Sequence, residues 1–184
     1  GRVIAWEEMD EMLEGFDLYR FRVFDAGNYD VMYFDDSSFP AGYITDRNVF
    51  KREMAEVFEF LSKYFPNDKI ARKYHPMYPD DKTIINIGEV LPDFIPAEFL
   101  YNDNVKIYLS LFSYAIANVE KGLVVSLGDM VSIRDEETRM QLKENMLRMS
   151  KSEILFPKSM EEFESIVKDV AEGRSIQLGN VGRG

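Results

Sequence analysis

The chain has 184 residues, 46% of them hydrophobic and 14% aromatic, which suits one globular domain with a full core and argues against intrinsic disorder. It has no cysteine and a single histidine, so disulfides, thiolate metal sites, cysteine nucleophiles and any site needing two imidazoles are excluded. Lys+Arg of 22 against Asp+Glu of 33 leaves a formal net charge of −11, which repels double-stranded nucleic acid and anionic membranes.

The predicted elements run as follows. Trp6, Met9, Met12, Leu13 and Phe16 recur at three- and four-residue spacing, one face of a helix over 4–16, with acids on the remaining faces. Residues 18–24 alternate, 25–28 read as a turn, and 29–34 read as the returning arm of a hairpin. Residues 35–42 have loop composition. Asp46 caps a helix whose apolar stripe holds Val49, Phe50, Met54, Val57, Phe58 and Leu61, with Pro66 beyond its end. Segment 66–82 reads as irregular, interrupted by Pro66, Pro76 and Pro79, and 82–87 as a short strand. Over 97–133, apolar runs around Asn102-Asp103-Asn104 and Gly128-Asp129 read as an antiparallel meander. Asp135 caps a helix to about Met149. Ser159 with Glu162 forms a capping box for a last helix that stops at Gly173. The expectation is an α+β fold, an antiparallel β-sheet of hairpins and meander packed against three to four α-helices. Residues 1–173 form a single domain and 174–184 a loose tail.

Chemistry-bearing patterns are sparse. Asp35-Asp36 and Asp80-Asp81 are adjacent acids in loops, without the spacing of a calcium loop, and read as turn residues; no metal or cofactor is expected. Pro92-Asp93 begins a metal-nuclease pattern, but the second acid and the lysine do not follow on one strand. His75 has no triad partners in sight and reads as a surface loop residue. Gly179 to Gly182 lack the strand and helix that a phosphate-binding glycine loop needs. One basic cluster, with Lys69, Arg72 and Lys73 among the aromatics Tyr64, Phe65 and Tyr74, could hold a nucleotide by charge and stacking.

The strongest whole-chain signal is charge asymmetry. Residues 1–46 carry eleven acids and three bases, so −8 of the −11 lies there. The leading expectation is a non-catalytic interaction module that offers an acidic surface, with Glu7, Glu8, Glu11, Asp25, Asp30, Asp35 and Asp36, to a partner with a basic surface. With no leader and no apolar run of about 20 residues, a cytoplasmic protein with no membrane partner is expected.

A second reading comes from a resemblance. Ile87-Gly88, Leu91-Pro92-Asp93 with Pro96, Val105-Lys106-Ile107, Val124-Val125-Ser126 and Ile133-Arg134-Asp135 resemble the C-terminal half of the cap-binding domain of influenza-type polymerase subunits. Arg22-Val23 with Gly27 and Tyr29 is similar to the strand that precedes that domain's helix. The resemblance implies a nucleotide or RNA 5′-cap ligand, held between aromatics and read by an acid, with Phe24 and Asp30 at the matching positions.

Overall fold

The computed structural model describes residues 29–174. The expected helix over 4–16, the strand over 18–24, its turn and all but the first residue of the C-terminal tail lie outside the described residues.

Residues 31–34, Val-Met-Tyr-Phe, are buried along their whole length, and so are the short runs at 107–110 and 70–73. A strand without an exposed side chain has both faces covered, which is the state of parallel strands between helical layers. Six strands form one sheet: β1 (Val31–Phe34), β2 (Ile70–Lys73), β3 (Glu89–Val90), β4 (Ile107–Ser110), β5 (Leu123–Ser126) and β6 (Ile154–Leu155), in the order β3-β2-β1-β4-β5-β6. Every pairing is parallel, with Val31 opposite both Ile70 and Ile107 and Tyr108 opposite Val124.

This overturns the expected antiparallel meander: the fold is α/β. Residues 107–110 and 123–126 are strands as read, but the chain between them is a crossover containing a 3₁₀ turn at Tyr114–Ile116, not a hairpin. Parallel neighbours need a connection of about a dozen residues, and this one meets that length. The supposed hairpin arm before Asn102 is a 3₁₀ turn, Ala97–Leu100, and Asn102 uses its side-chain oxygen to accept the N–H of Asn104 at 3.0 Å. Residues 130–133 form no strand, and the short strand expected at 82–87 appears instead as Glu89–Val90. Segment 66–82, read as irregular, contains β2.

The helices follow their local signals. Asp46 accepts the N–H groups of Asn48 and Val49, at 2.9 and 3.0 Å, and opens α1 (Arg47–Leu61). Asp135 caps α2 (Glu136–Met149) through Thr138 N–H at 2.7 Å. Ser159 caps α3 (Met160–Ala171) through Glu162 N–H at 3.3 Å, while the Glu162 carboxylate reaches back to Lys158 N–H at 2.8 Å. Phe50, Met54, Val57, Phe58 and Leu61 of α1 are buried, each worth about 1.5–3 kcal/mol of transfer free energy. α1 and α3 share a face of the sheet, where Phe60 meets Phe163 edge-on with ring centroids 6.4 Å apart. α2 leads from β5 outward to β6, and its Lys143 lies over the ring of Phe156, 4.2 Å from the centroid. No helix among the described residues is long and apolar enough to cross a membrane.

Candidate functional site

In an open parallel sheet the strand order sets where a ligand goes. From β1 the chain moves outward to β2 and β3, then returns to β4 on the other side of β1. The connections therefore diverge above the carboxyl ends of β1 and β4 and leave a crevice there. A cleft of about 740 Å³ occupies this position. Its walls come from the loops after β1 (Asp35, Asp36, Ser37, Tyr43), β2 (His75, Tyr78) and β4 (Phe112, Ser113, Tyr114), with Glu98 and Asn118 also in the lining. Glu98 and Asn118 also border a second cavity of about 960 Å³, where Phe99, Tyr101 and Tyr108 contribute aromatic wall.

Three carboxylates tie these loops together. Asp35 follows β1 directly, and its Oδ2 accepts N–H bonds from His75 at 3.1 Å and Asp80 at 3.0 Å. Asp80 answers in the reverse direction: it accepts the N–H groups of Ser38 at 3.0 Å and Phe39 at 2.9 Å, together with the Ser38 hydroxyl. Asp36 clasps the other side of the crevice, accepting the N–H groups of Leu111 at 3.2 Å and of Phe112, and the Tyr43 hydroxyl at 3.1 Å. Carboxylates suit this work because they are pure acceptors facing loop N–H groups that the strands leave unpaired. Burial, then the Asp80 charge, lifts the Asp35 carboxyl to about 7. Burial lifts Asp36 to about 8, against the lowering effect of the Phe112 N–H bond. Tyr43 is pushed far above its ordinary value by burial and by the Asp36 charge.

The loop after β1 also carries strain. Ser37 has φ of 56°, the only positive value at a non-glycine residue among the described residues, and its Oγ is buried without a hydrogen-bond partner. Oδ1 of Asp35 is likewise buried and unpartnered. Sparsely populated backbone and orphaned polar atoms in one short loop are features that concentrate at functional sites.

His75 is oriented by its own loop. Nδ1 accepts N–H bonds from Met77 at 3.3 Å and Tyr78 at 3.0 Å, and the ring stacks on Tyr78 with centroids 6.0 Å apart. Two donors facing Nδ1 require it unprotonated, so the proton of the neutral ring sits on Nε2. Ser113 accepts Ala115 N–H at 3.2 Å and keeps its own hydroxyl hydrogen for donation. Tyr78 and Tyr114 line the cleft while 58% and 48% exposed, so ring surface is open to a ligand. Among the described residues no group of three or more His, Asp or Glu side chains is arranged to hold a metal ion.

The residues singled out from sequence are distributed differently. Glu7, Glu8, Glu11, Phe24 and Asp25 lie outside the described residues. Asp30 pairs with Lys106 at 3.3 Å beside the amino end of β1, the edge opposite the cleft, and Lys69 lies at that same edge before β2. Asp35 is 5% exposed and directs its carboxylate inward to loop N–H groups, as does Asp36. The cations Arg72 and Lys73 are buried in β2. Arg72 donates to Tyr74 Oη and to the carbonyls of Lys82, Ile85 and Gly88, and Lys73 Nζ to the carbonyls of Tyr74 and Asp93. The convergence of His75, Asp80, Glu98 and Ser113 has no local signature in the sequence. For His75 alone, the available signal was His75-Pro76 directly after a run that ends in Tyr74, hidden because two cations made that run look like a loop. Comparison of the chain with protein-family models, with curated proteins and with solved structures finds no match.

Proposed function

We propose that this domain binds a nucleotide, a phosphorylated ribose-bearing small molecule, in the cleft above β1 and β4. The single observation that supports the reading is the doubly wound 3-2-1-4-5-6 sheet with an open cleft of about 740 Å³ at its switch point, the position at which sheets of this order take nucleotides. The lining fits such a ligand. His75 Nε2–H and the Ser113 hydroxyl are donors for phosphate oxygens, the Glu98 carboxylate is an acceptor for ribose hydroxyls, and Tyr78 and Tyr114 offer ring faces to a base.

The mode differs from that of a dinucleotide oxidoreductase. There, a glycine-rich turn joins the first strand directly to a helix whose N-terminus holds the pyrophosphate. Here Asp35-Asp36-Ser37-Ser38 follows β1, and α1 begins only at Arg47. Phosphate must then be gripped by side chains of the loops after β2 and β4. Thermal-shift and calorimetric titrations with UMP, CMP, AMP, GMP and m7GTP test the reading. At least one should stabilise the protein, and Glu98→Gln and His75→Ala should each weaken binding about tenfold, the worth of one charge-assisted hydrogen bond. The absence of any shift across the panel, joined to salt-sensitive capture of a basic protein, would favour the acidic-surface reading in its place.

A further inference from the structure

The hydrogen bonding of Asp35 is lopsided. Oδ2 accepts two backbone N–H bonds, from His75 and Asp80, whereas Oδ1 is buried and has none. The side chain is 5% exposed. The titratable and charged groups around it come from every neighbouring element: Tyr33 from its own strand, Asp36 beside it, Lys73 and Tyr74 from β2 and its end, and His75 and Asp80 from the loop after β2. Lys73 is the cation among them, and its Nζ is held by the carbonyls of Tyr74 at 2.7 Å and Asp93 at 3.0 Å, without an ion pair to Asp35. Asp80 already receives three donors from Ser38 and Phe39. An ionised Asp35 therefore sits buried between two other acidic side chains with one oxygen uncompensated. A proton on Oδ1 removes that charge and supplies an O–H donor where an orphan acceptor was, in a carboxyl that the Asp80 charge already acts on.

We propose that Asp35 is a proton-carrying positioning residue: as a neutral carboxyl it holds the His75 backbone at the cleft, and a phosphate-bearing ligand binds together with that proton. The inference rests on the nucleotide reading above. Phosphate arriving at His75 Nε2 brings negative charge to the loops that Asp35, Asp36 and Asp80 tie together. Like charges in a partly buried cleft raise the proton affinity of a carboxyl that has an uncompensated oxygen, and Oδ1 of Asp35 is such an oxygen. Linkage makes the effect reciprocal, so a proton on Asp35 raises phosphate affinity by the same factor that phosphate raises proton affinity. Since burial and the Asp80 charge hold this carboxyl to about 7, the coupling operates close to neutral pH.

Isothermal titration of the whole chain with UMP, CMP, AMP, GMP and inorganic phosphate tests this. Titrations at pH 7.5 in two buffers of different ionisation enthalpy count the protons taken up. The unmodified protein should take up about half a proton or more per phosphate bound, and its affinity should fall roughly tenfold from pH 7 to pH 8.5. Asp35→Asn keeps an acceptor for the His75 and Asp80 N–H groups and replaces the orphan oxygen by an amide donor. It should bind with less proton uptake and a shallower profile across that range than the unmodified protein, the remainder belonging to Asp36, a change that a merely structural aspartate would not produce. Uptake below about 0.1 proton in the unmodified protein, or an unchanged pH slope in Asp35→Asn, overturns the proposal while leaving nucleotide binding intact. Should Asp35→Asn fail to fold, the two-buffer measurement on the unmodified chain decides by itself. Failure of every probe to bind at any pH removes the nucleotide reading, and this inference with it.

Discussion

Arg72 offers the sharpest contrast between a ligand-binding cation and a structural one. Its guanidinium is buried in β2 and fans out across the chain that links β2 to β3. Nη1 donates to Tyr74 Oη at 3.0 Å, to the carbonyl of Lys82 at 3.4 Å and to that of Ile85, and Nη2 donates to the carbonyl of Gly88 at 3.0 Å. Segment 82–88 contains no helix or strand, so these carbonyls have no ladder to satisfy them, and the planar fork of one side chain does so. Arg72→Met keeps most of the volume and removes the donors. Each of the two best-engaged carbonyls, Ile85 and Gly88, is left unpaired at a cost of about 1–3 kcal/mol. Relief from burying a cation that has no carboxylate partner among the described residues offsets part of this. The net expectation is a loss of about 2–4 kcal/mol, or roughly 5–15 °C in Tm for a domain of this size. Urea unfolding followed by far-ultraviolet circular dichroism measures the loss, and hydrogen exchange locates it: amides of 82–91 should exchange faster, while those of α3 keep their order of protection. Arg72→Lys, with a single ammonium that cannot span the same carbonyls, should recover less than half. An Arg72→Met protein within about 0.5 kcal/mol of the parent, with 82–91 as protected as before, would refute the claim that the guanidinium pins this segment.

Three further outcomes are expected. Gly128→Ala puts a methyl group into the ring of Phe112, a residue of the cleft wall, and should cost about 1–3 kcal/mol with a matching fall in Tm. Stability should decline as pH rises from about 4 toward 8. Asp35 and Asp36 keep their protons to about 7 and about 8 in the folded chain, against an ordinary value of 3.8, so the folded state binds more protons than the unfolded one throughout that window. The slope expected from Asp35 is on the order of 1 kcal/mol per pH unit, and a urea midpoint that is flat or rises with pH would contradict it. Ser159→Ala removes the cap of α3 and should cost about 1 kcal/mol by urea unfolding, leaving α1 and its Asp46 cap unaffected.

The features readable from neighbouring residues are local ones. Caps at Asp46, Asp135 and Ser159 and the apolar stripe from Phe50 to Leu61 place three helices, because a helix is closed by bonds within its own segment and its start is marked by side chains next to it. Strands at 31–34, 107–110 and 123–126 were legible as short apolar, β-branched or aromatic runs. Their direction was not. A four-residue strand buried on both faces has no polar alternation, and Asn102-Asp103-Asn104 makes the same Asx turn before a parallel strand as it would in a hairpin. β2 was hidden outright: Ile-Ala-Arg-Lys reads as an exposed basic segment until carbonyls from 74, 82–88 and 93 close around its two cations.

The candidate site shows the same division. Asp35, Asp36 and His75 were visible as loop residues, but nothing near them in sequence says that they meet, or that Asp80, Glu98 and Ser113 join them. That meeting is set by the chain's topology. Parallel pairing carries the carboxyl ends of β1, β2 and β4 to one edge, so loops separated by dozens of residues face one another across a crevice that no local pattern encodes.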